Sequence, residues 1–117
     1  MTKEITYGMK KRLVFPFEAA VEKVREALQK EGFGVLTEID VTATLKKKLN
    51  VDFKKYIILG ACNPPFAYKA LTTEEDIGLM LPCNLIVYEE ENGVVVAAIK
   101  PTIAMQSTNN QALREIA

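Results

Sequence analysis

Two Cys-Asn pairs, Cys62-Asn63 and Cys83-Asn84, are the residues of this chain most suited to chemistry. A cysteine thiolate is both a nucleophile and a soft metal ligand. Pro64 pushes the residue before it into the extended conformation of a helix N-cap, and the Asn63 side chain can then accept hydrogen bonds from first-turn amides. Cys62 is therefore predicted to lie just outside a helix N-terminus, where the positive end of the helix dipole favours thiolate over thiol.

Whether the two cysteines form one site depends on the strands beside them. Cys62 ends one predicted strand, and Cys83 begins another. Antiparallel strands would bring both sulfurs to the same edge of the sheet, whereas parallel strands would separate them by about 17–20 Å. Cys62 is the stronger candidate of the two. Cys83 follows Pro82, which is predicted to end a helix, so Cys83 gains no dipole field.

Three roles for the cysteines stay open at this point. Free cysteine is often a small buried hydrophobe, and both sulfurs would then be inert. They could instead bind a ligand or carry out thiol chemistry, or they could ligate a metal such as zinc. The chain contains no histidine, and two thiolates fill only half of a tetrahedral zinc site. Glu38, Asp40 or a second copy of the chain would have to complete it.

The absence of histidine also removes the commonest general base near neutral pH, so a Cys-His or Ser-His arrangement is excluded within one chain. Glu38 and Asp40, two residues apart on one predicted strand, would share a face. They are interpreted either as a carboxylate pair or as the solvated face of an edge strand. The sequence therefore leaves open whether the protein is an enzyme.

Hydropathy patterns predict the elements that position these residues. Apolar residues recur at helical spacing from Phe17 to Leu28, with Pro16 before them and Gly32 as a stop after them. The unbroken apolar run over residues 56–61 suits an internal strand covered on both faces. The other predicted strands are residues 4–15, residues 34–41 with Val35, Thr37, Ile39 and Val41 alternating on one face, residues 85–88 and residues 94–99.

Short elements complete the pattern. Residues 43–49 predict a short amphipathic helix or turn, and the Asn92-Gly93 pair predicts an antiparallel hairpin. Thr72 with Glu75, or Thr73 with Asp76, fits a capping box before a short helix. Residues 102–105 are ambiguous. Residues 109–117 begin a helix that stops after two turns, which suggests a truncated end or support from a neighbour.

Composition limits the class of protein. A chain of 117 residues fits one domain with a real core, and no run approaches the roughly 18 apolar residues of a membrane span. The N-terminus lacks the apolar stretch of a signal peptide, so a cytoplasmic protein with reduced cysteines is predicted. Fifteen basic residues balance fifteen acidic ones, which argues against nucleic acid or a membrane as the main partner.

Four runs resemble the family catalogued as domain of unknown function 302. They are residues 32–40 (GFGVLTEID), 58–65 (ILGACNPP), 81–85 (LPCNL) and 87–89 (VYE). The resemblance covers roughly residues 13–105 and implies a two-layer α+β domain, with a mainly antiparallel sheet, helices packed on one face and dimer formation. It implies no established activity. The family's characteristic residues would be Glu38, Asp40, Cys62, Asn63, Pro64, Pro82 and Cys83.

One departure from the family pattern concerns charge. The family typically has an acidic residue before the proline that is Pro101 here, whereas this chain has Lys100. A site that used that carboxylate would be weakened or reversed in charge.

The leading hypothesis is a small homo-oligomeric module that binds a small molecule or an ion through the region of Cys62 and Cys83. A thiol-dependent redox or transfer enzyme is the first alternative, since the same helix end would act on the sulfur. A structural interaction protein with inert, buried cysteines is the second. The identity of a ligand or substrate does not follow from the sequence.

Overall fold

Five strands form one antiparallel sheet in the computed structural model, which describes residues 5–100. The strands are β1 (Gly8–Leu13), β2 (Gly34–Asp40), β3 (Tyr56–Cys62), β4 (Cys83–Glu90) and β5 (Gly93–Ile99). The helices are α1 (Phe17–Lys30), α2 (Val41–Leu49) and α3 (Pro64–Thr73), followed by a 3₁₀-helix at Glu75–Met80. The strand order is β1-β5-β4-β3-β2, and every neighbouring pair is antiparallel. The predicted α+β class is confirmed.

The main core lies between α1 and one face of the sheet. α1 begins at the predicted Phe17, ends at Lys30 before the predicted stop at Gly32, and buries Ala20, Val21 and Val24, which recur at helical spacing. They pack against strand residues of alternating position, because only every second side chain of a strand points to one face. The buried strand members of this cluster are Ile57, Leu59, Val87 and Val94.

The ends of α1 and of the β4–β5 hairpin follow their predicted chemistry. Pro16 precedes α1, and Gly32 just beyond its end has the positive φ of 82° that favours glycine. Asn92 in the hairpin turn has a φ of 68°. At Gly93, a Cβ would lie 2.8 Å from the carbonyl oxygen of Leu13, so the close approach of β1 requires glycine there. The predicted hairpin is confirmed.

Two predicted strands differ from the observed ones. β1 covers Gly8–Leu13 rather than residues 4–15, because its partner β5 begins at Gly93 and the ladder ends at the pair of Leu13 and Val94. In β2, a bulge between Val35 and Thr37 shifts the register. Val35 therefore faces α1, whereas Thr37 and Ile39 face the opposite side, and the single buried face predicted for this strand is wrong.

The predicted capping boxes do not form. α3 continues to Thr73, so Thr72 and Thr73 lie in its last turn and donate their hydroxyl hydrogens to carbonyl oxygens of Tyr68 and Lys69. The 3₁₀-helix that follows has no side-chain cap. The segments predicted at residues 102–105 and 109–117 lie outside the described residues. None of the helices within residues 5–100 is both long and apolar enough to cross a membrane.

Candidate functional site

The two cysteines lie at the same end of the sheet on adjacent strands. β3 and β4 are antiparallel, and Ala61 pairs with Cys83. Cys62, the last residue of β3, is thus one position removed from direct pairing with Cys83. Both thiols are free and partly buried. The antiparallel pairing that was needed to bring both cysteines to the same edge of the sheet is therefore present.

The register nevertheless directs the two side chains to opposite faces. Directly paired residues share a face, so Cys83 lies with Ala61 on the face that α1 covers. Cys62 pairs with Gly34 on β2 and belongs to the other face, together with Asn84, which pairs with Gly60. Within one copy, Cys62 is thus grouped with Asn84 rather than with Cys83.

Cys83 has the environment of an inactive thiol. Partial burial raises the pKa of the Cys83 thiol above its ordinary value, and the neighbouring Cys62 adds to the rise. Both causes oppose the thiolate, since burial and like charge each disfavour the charged form. Cys83 is consequently a protonated, weakly nucleophilic sulfur at neutral pH.

The helix start beside Cys62 forms as predicted but leaves no amide free. Asn63 is the N-cap of α3, and its side-chain oxygen accepts a hydrogen bond from the Phe66 amide at 3.4 Å. The Ala67 amide donates to the backbone oxygen of Asn63 at 2.9 Å. Pro64 and Pro65 have no amide hydrogen. Among the first four residues of α3, every amide that exists is therefore already bonded, so this helix end lacks donors for an anion.

Open space lies beside Gly34, which pairs with Cys62, and we call the surface formed by Gly32, Gly34, Cys62 and Asn63 the glycine recess. A Cβ built on Gly34 would meet no atom within 4 Å, and one built on Gly32 would lie 3.3 Å from the Asn63 amide nitrogen. From the sequence, Gly32 was predicted only to end the first helix, and Gly34 was not assigned to a site. Two glycines after a helix indicate a turn, and only the β2–β3 register places Gly34 across from Cys62.

The carboxylates Glu38 and Asp40 belong to a different part of the molecule. Glu38 forms an ion pair of 2.8 Å with Arg25 of α1, and Asp40 caps α2 by accepting from the Ala43 amide at 2.9 Å. Glu38 pairs with Leu59, three residues from Cys62 along β3, which is about 10 Å. Both carboxylates lie on the α1 side of the sheet, so neither borders the glycine recess.

No metal centre is assembled within residues 5–100, since no three His, Cys, Asp or Glu side chains there come close enough to hold an ion. The opposite orientation of Cys62 and Cys83 prevents them from sharing one tetrahedral ion within a copy. A zinc site of the kind considered from the sequence would require ligands from outside the described part of one chain.

Substituting Asp40 tests whether this carboxylate is structural. Asp40→Ala removes the N-cap of α2 and is expected to lower the free energy of unfolding by about 1 kcal/mol, measured by urea denaturation. Asp40→Asn should retain most of that stability because asparagine caps equally well. Asp52→Ala, at an exposed ion pair with Lys46, is the control and should cost less. Equal losses for the two alanine variants would contradict the capping role.

The fold and the cysteine end define a class of small α+β protein in which residues 5–100 form one five-stranded antiparallel sheet with two cysteines at one end of it. The model of the family described as domain of unknown function DUF302 matches residues 9–117. The chain belongs to this family. It is also similar to an uncharacterized conserved DUF302 protein from Bacillus stearothermophilus, with 34% identity, 96% of this chain and 88% of that chain covered, and a TM-score of 0.88. No curated protein sequence matches the chain.

Proposed function

We propose that this protein is a homo-oligomeric module that binds a soft ion or a small molecule at the glycine recess, with the Cys62 thiol as the principal contact. The observation that carries the proposal is the open space at Gly34, which pairs directly with Cys62, a partly buried free thiol. A thiol next to open space can reach a ligand, whereas a packed thiol cannot.

The chemistry of the recess favours a ligand that prefers sulfur. The backbone amides at the start of α3 are either absent, at the two prolines, or already hydrogen-bonded, so they cannot bind a phosphate or a carboxylate. In the strand register, the polar side chains closest to Cys62 on this face are Asn84 and Thr37, which are neutral, as is Asn63 beside Cys62 in the sequence. Soft thiolate ligands select ions such as Cu(I) over hard oxygen-seeking ions.

Oligomerisation follows from the number of ligands. One copy offers a single thiol on this face, because Cys83 faces α1. An ion that needs two sulfur ligands would thus be held between the Cys62 residues of two copies. A homodimer is consequently part of the proposal, and its ligand would stabilise the association by binding only the assembled state.

Cys62→Ser tests the proposal directly. Cu(I) is titrated anaerobically into the full chain in competition with a colorimetric chelator, and oligomeric state is followed by sedimentation. Wild type and Cys83→Ser are expected to bind with the same stoichiometry, and Cys62→Ser should lose binding. Retention of Cu(I) by Cys62→Ser would refute a role for this thiol. Loss of Cu(I) binding in Cys83→Ser alone would show that the site lies on the α1 face of the sheet.

Gly34→Leu separates the recess from the sulfur itself. The leucine side chain would enter space that no atom occupies within 4 Å of the new Cβ, so the fold should survive while the recess is filled. The expected result is slower alkylation of Cys62 by iodoacetamide, measured by mass spectrometry, with unchanged far-ultraviolet circular dichroism. Alkylation at the wild-type rate would mean that the thiol is reached by another route.

The alternatives have less support. A thiol-dependent enzyme would have to rely on Cys62 alone, because the raised pKa of Cys83 suits a protonated sulfur and not a nucleophile. A structural interaction protein with inert cysteines predicts that neither thiol binds Cu(I) and that both react slowly with iodoacetamide. Rapid alkylation of Cys62 without Cu(I) binding would instead favour a thiol-dependent enzyme.

A further inference from the structure

β1 is one of the two edge strands of the sheet. β5 pairs with every residue of β1 on one side, and within residues 5–100 no strand pairs with its other side. An exposed edge strand offers a row of backbone donors and acceptors, to which an extended peptide can add as a further strand. We call this outer side of Gly8–Leu13 the β1 edge.

The strand register identifies the backbone groups that point outwards from the β1 edge. Tyr7 and Lys100 are the next pair beyond Gly8 and Ile99, and the Lys100 amide donates to the backbone oxygen of Tyr7 at 3.0 Å. Hydrogen-bonded and non-hydrogen-bonded pairs alternate along antiparallel strands, so every second residue from Tyr7 directs its amide towards β5. The intervening residues of β1, whose amides and carbonyl oxygens point outwards, are Gly8, Lys10 and Arg12.

Three consecutive basic residues, Lys10, Lys11 and Arg12, occupy the middle of the β1 edge. Successive side chains of a strand point to opposite faces, so Lys10 and Lys11 border the edge on the two faces of the sheet. Arg12 is paired with Glu90 at 3.3 Å, whereas neither lysine forms a salt bridge within the described part of the chain. Among residues 5–100, the β1 edge therefore presents one unpaired positive charge on each face.

The other edge of the sheet, β2, is less suited to the addition of a strand. A bulge between Val35 and Thr37 interrupts its row of backbone groups, and bulges are one of the features by which edge strands avoid further pairing. The ladder between β1 and β5 has no register shift. Of the two edges, β1 is thus the one with regularly spaced outward groups.

The basic run determines which kind of strand can add to the β1 edge. Two β1 strands paired about Lys10 or about Lys11 would place cationic side chains opposite each other, and like charges directly opposite destabilise a sheet. A second copy of β1 is therefore disfavoured, as is usual for an edge strand that carries lysine. An extended segment with acidic residues would instead form cross-strand pairs of opposite charge with Lys10 and Lys11.

Exposed apolar side chains lie on both sides of the basic run. Met9 precedes it and is 58% exposed, and Val14 follows β1 and is 84% exposed. In complexes formed by strand addition, contacts of alternate side chains give the sequence preference. A peptide with an apolar residue on each side of its acidic residues would cover both side chains.

We infer that the β1 edge binds an acidic, extended peptide segment of a partner protein, which adds to the sheet as a further strand. Hydrogen bonds to the outward backbone groups hold the segment, and Lys10 and Lys11 select for its carboxylates. The surface is separate from the glycine recess, because β5 and β4 lie between β1 and the strand that carries Cys62.

The test is an NMR titration of the full chain with the peptide TVEEEVT, and the peptide TVKKKVT is the control of opposite charge. TVEEEVT is expected to give saturable shifts along β1 that weaken as the salt concentration rises. It should also slow hydrogen exchange at the outward amides of Lys10 and Arg12, with no change at Lys11, whose amide is bonded to β5. Absence of TVEEEVT binding, or equal binding of TVKKKVT, would overturn the inference.

Two double variants with the same change in net charge locate the site. Lys10→Glu/Lys11→Glu is expected to raise the dissociation constant of TVEEEVT about tenfold. Lys47→Glu/Lys48→Glu, at exposed positions of α2, should leave it within about twofold of wild type. Equal weakening by the two double variants would show that the peptide responds only to net charge, which would contradict a site at β1.

Lys10→Pro tests the contribution of the backbone. Proline removes an outward amide and leaves the ladder with β5 intact, so TVEEEVT binding should be lost with an unchanged circular dichroism spectrum. If this variant unfolds, TVEEEVT methylated at every backbone nitrogen gives the same information, because it keeps the charges but lacks the donors. Binding of the methylated peptide as tightly as TVEEEVT, or tighter binding of single-stranded oligothymidylate to wild type, would exclude recognition by strand addition.

Discussion

Leu59→Ala is expected to lower the free energy of unfolding by about 3 kcal/mol, the typical cost of removing a fully buried leucine side chain. Leu59 is 0% exposed and lies at the centre of the cluster between α1 and the sheet. Its neighbours come from several elements that cannot all move inwards, because each is fixed by a helix or by strand pairing. The cavity should therefore remain largely unfilled.

Urea denaturation followed by circular dichroism measures this loss. Leu79→Ala is the matched control, since Leu79 is 89% exposed and its truncation should change the free energy by less than about 0.5 kcal/mol. Similar losses for the two variants would show that the cluster around Leu59 is not the main core. A loss well below 1 kcal/mol for Leu59→Ala would show that the surrounding side chains collapse into the space.

The elements of this fold were predictable where the local pattern and the tertiary environment agree. α1 forms where it was predicted because its apolar stripe matches the face that the sheet covers. Asn63 caps α3 as predicted, since the backbone preference imposed by Pro64 acts within the same few residues. The run that forms β3 was correctly predicted as an internal strand, although Tyr56, Ile58 and Cys62 on its second face are only partly buried.

The candidate site was predictable only in part, because it depends on strand register. The sequence indicated that antiparallel strands would bring the cysteines to one edge, and they do. It could not indicate that Cys83 pairs with Ala61, and a shift of one residue transfers a side chain to the opposite face. The bulge after Val35 is a similar case, since it arises from pairing with β3 and reverses the face of Thr37 and Ile39.

The cleft between the start of α1, α2 and residues 51–57 escaped prediction for another reason. Phe17 is far in sequence from Phe53 and Tyr56, so each of these residues is interpreted separately as core or surface. Only the return of residues 51–57 beside α1 brings them together. The formation of such a cleft depends on tertiary packing between distant segments, whereas helix caps and hairpin turns depend on residues that are neighbours in the sequence.

Gly60→Ala is expected to destabilise the protein by about 2 kcal/mol through overpacking, although alanine is normally harmless in a strand. A Cβ on Gly60 would overlap the hydroxyl oxygen of Thr37 and lie 2.7 Å from the Cγ of Pro82. Thr37 can rotate away, but the proline ring is rigid and is connected directly to Cys83 at the start of β4. The methyl group would therefore separate β3 from the segment that carries the second cysteine.

Gly34→Ala is the control for this effect on the neighbouring strand, because a Cβ there would meet no atom within 4 Å. Its free energy of unfolding should stay within about 0.5 kcal/mol of wild type. The double variant Thr37→Ala/Gly60→Ala should recover part of the loss, since the hydroxyl oxygen is removed while the contact with Pro82 remains. If Gly34→Ala and Gly60→Ala were equally stable, the close approach of β2 and Pro82 to Gly60 would be excluded, and with it the packing that positions Cys83 beside Ala61.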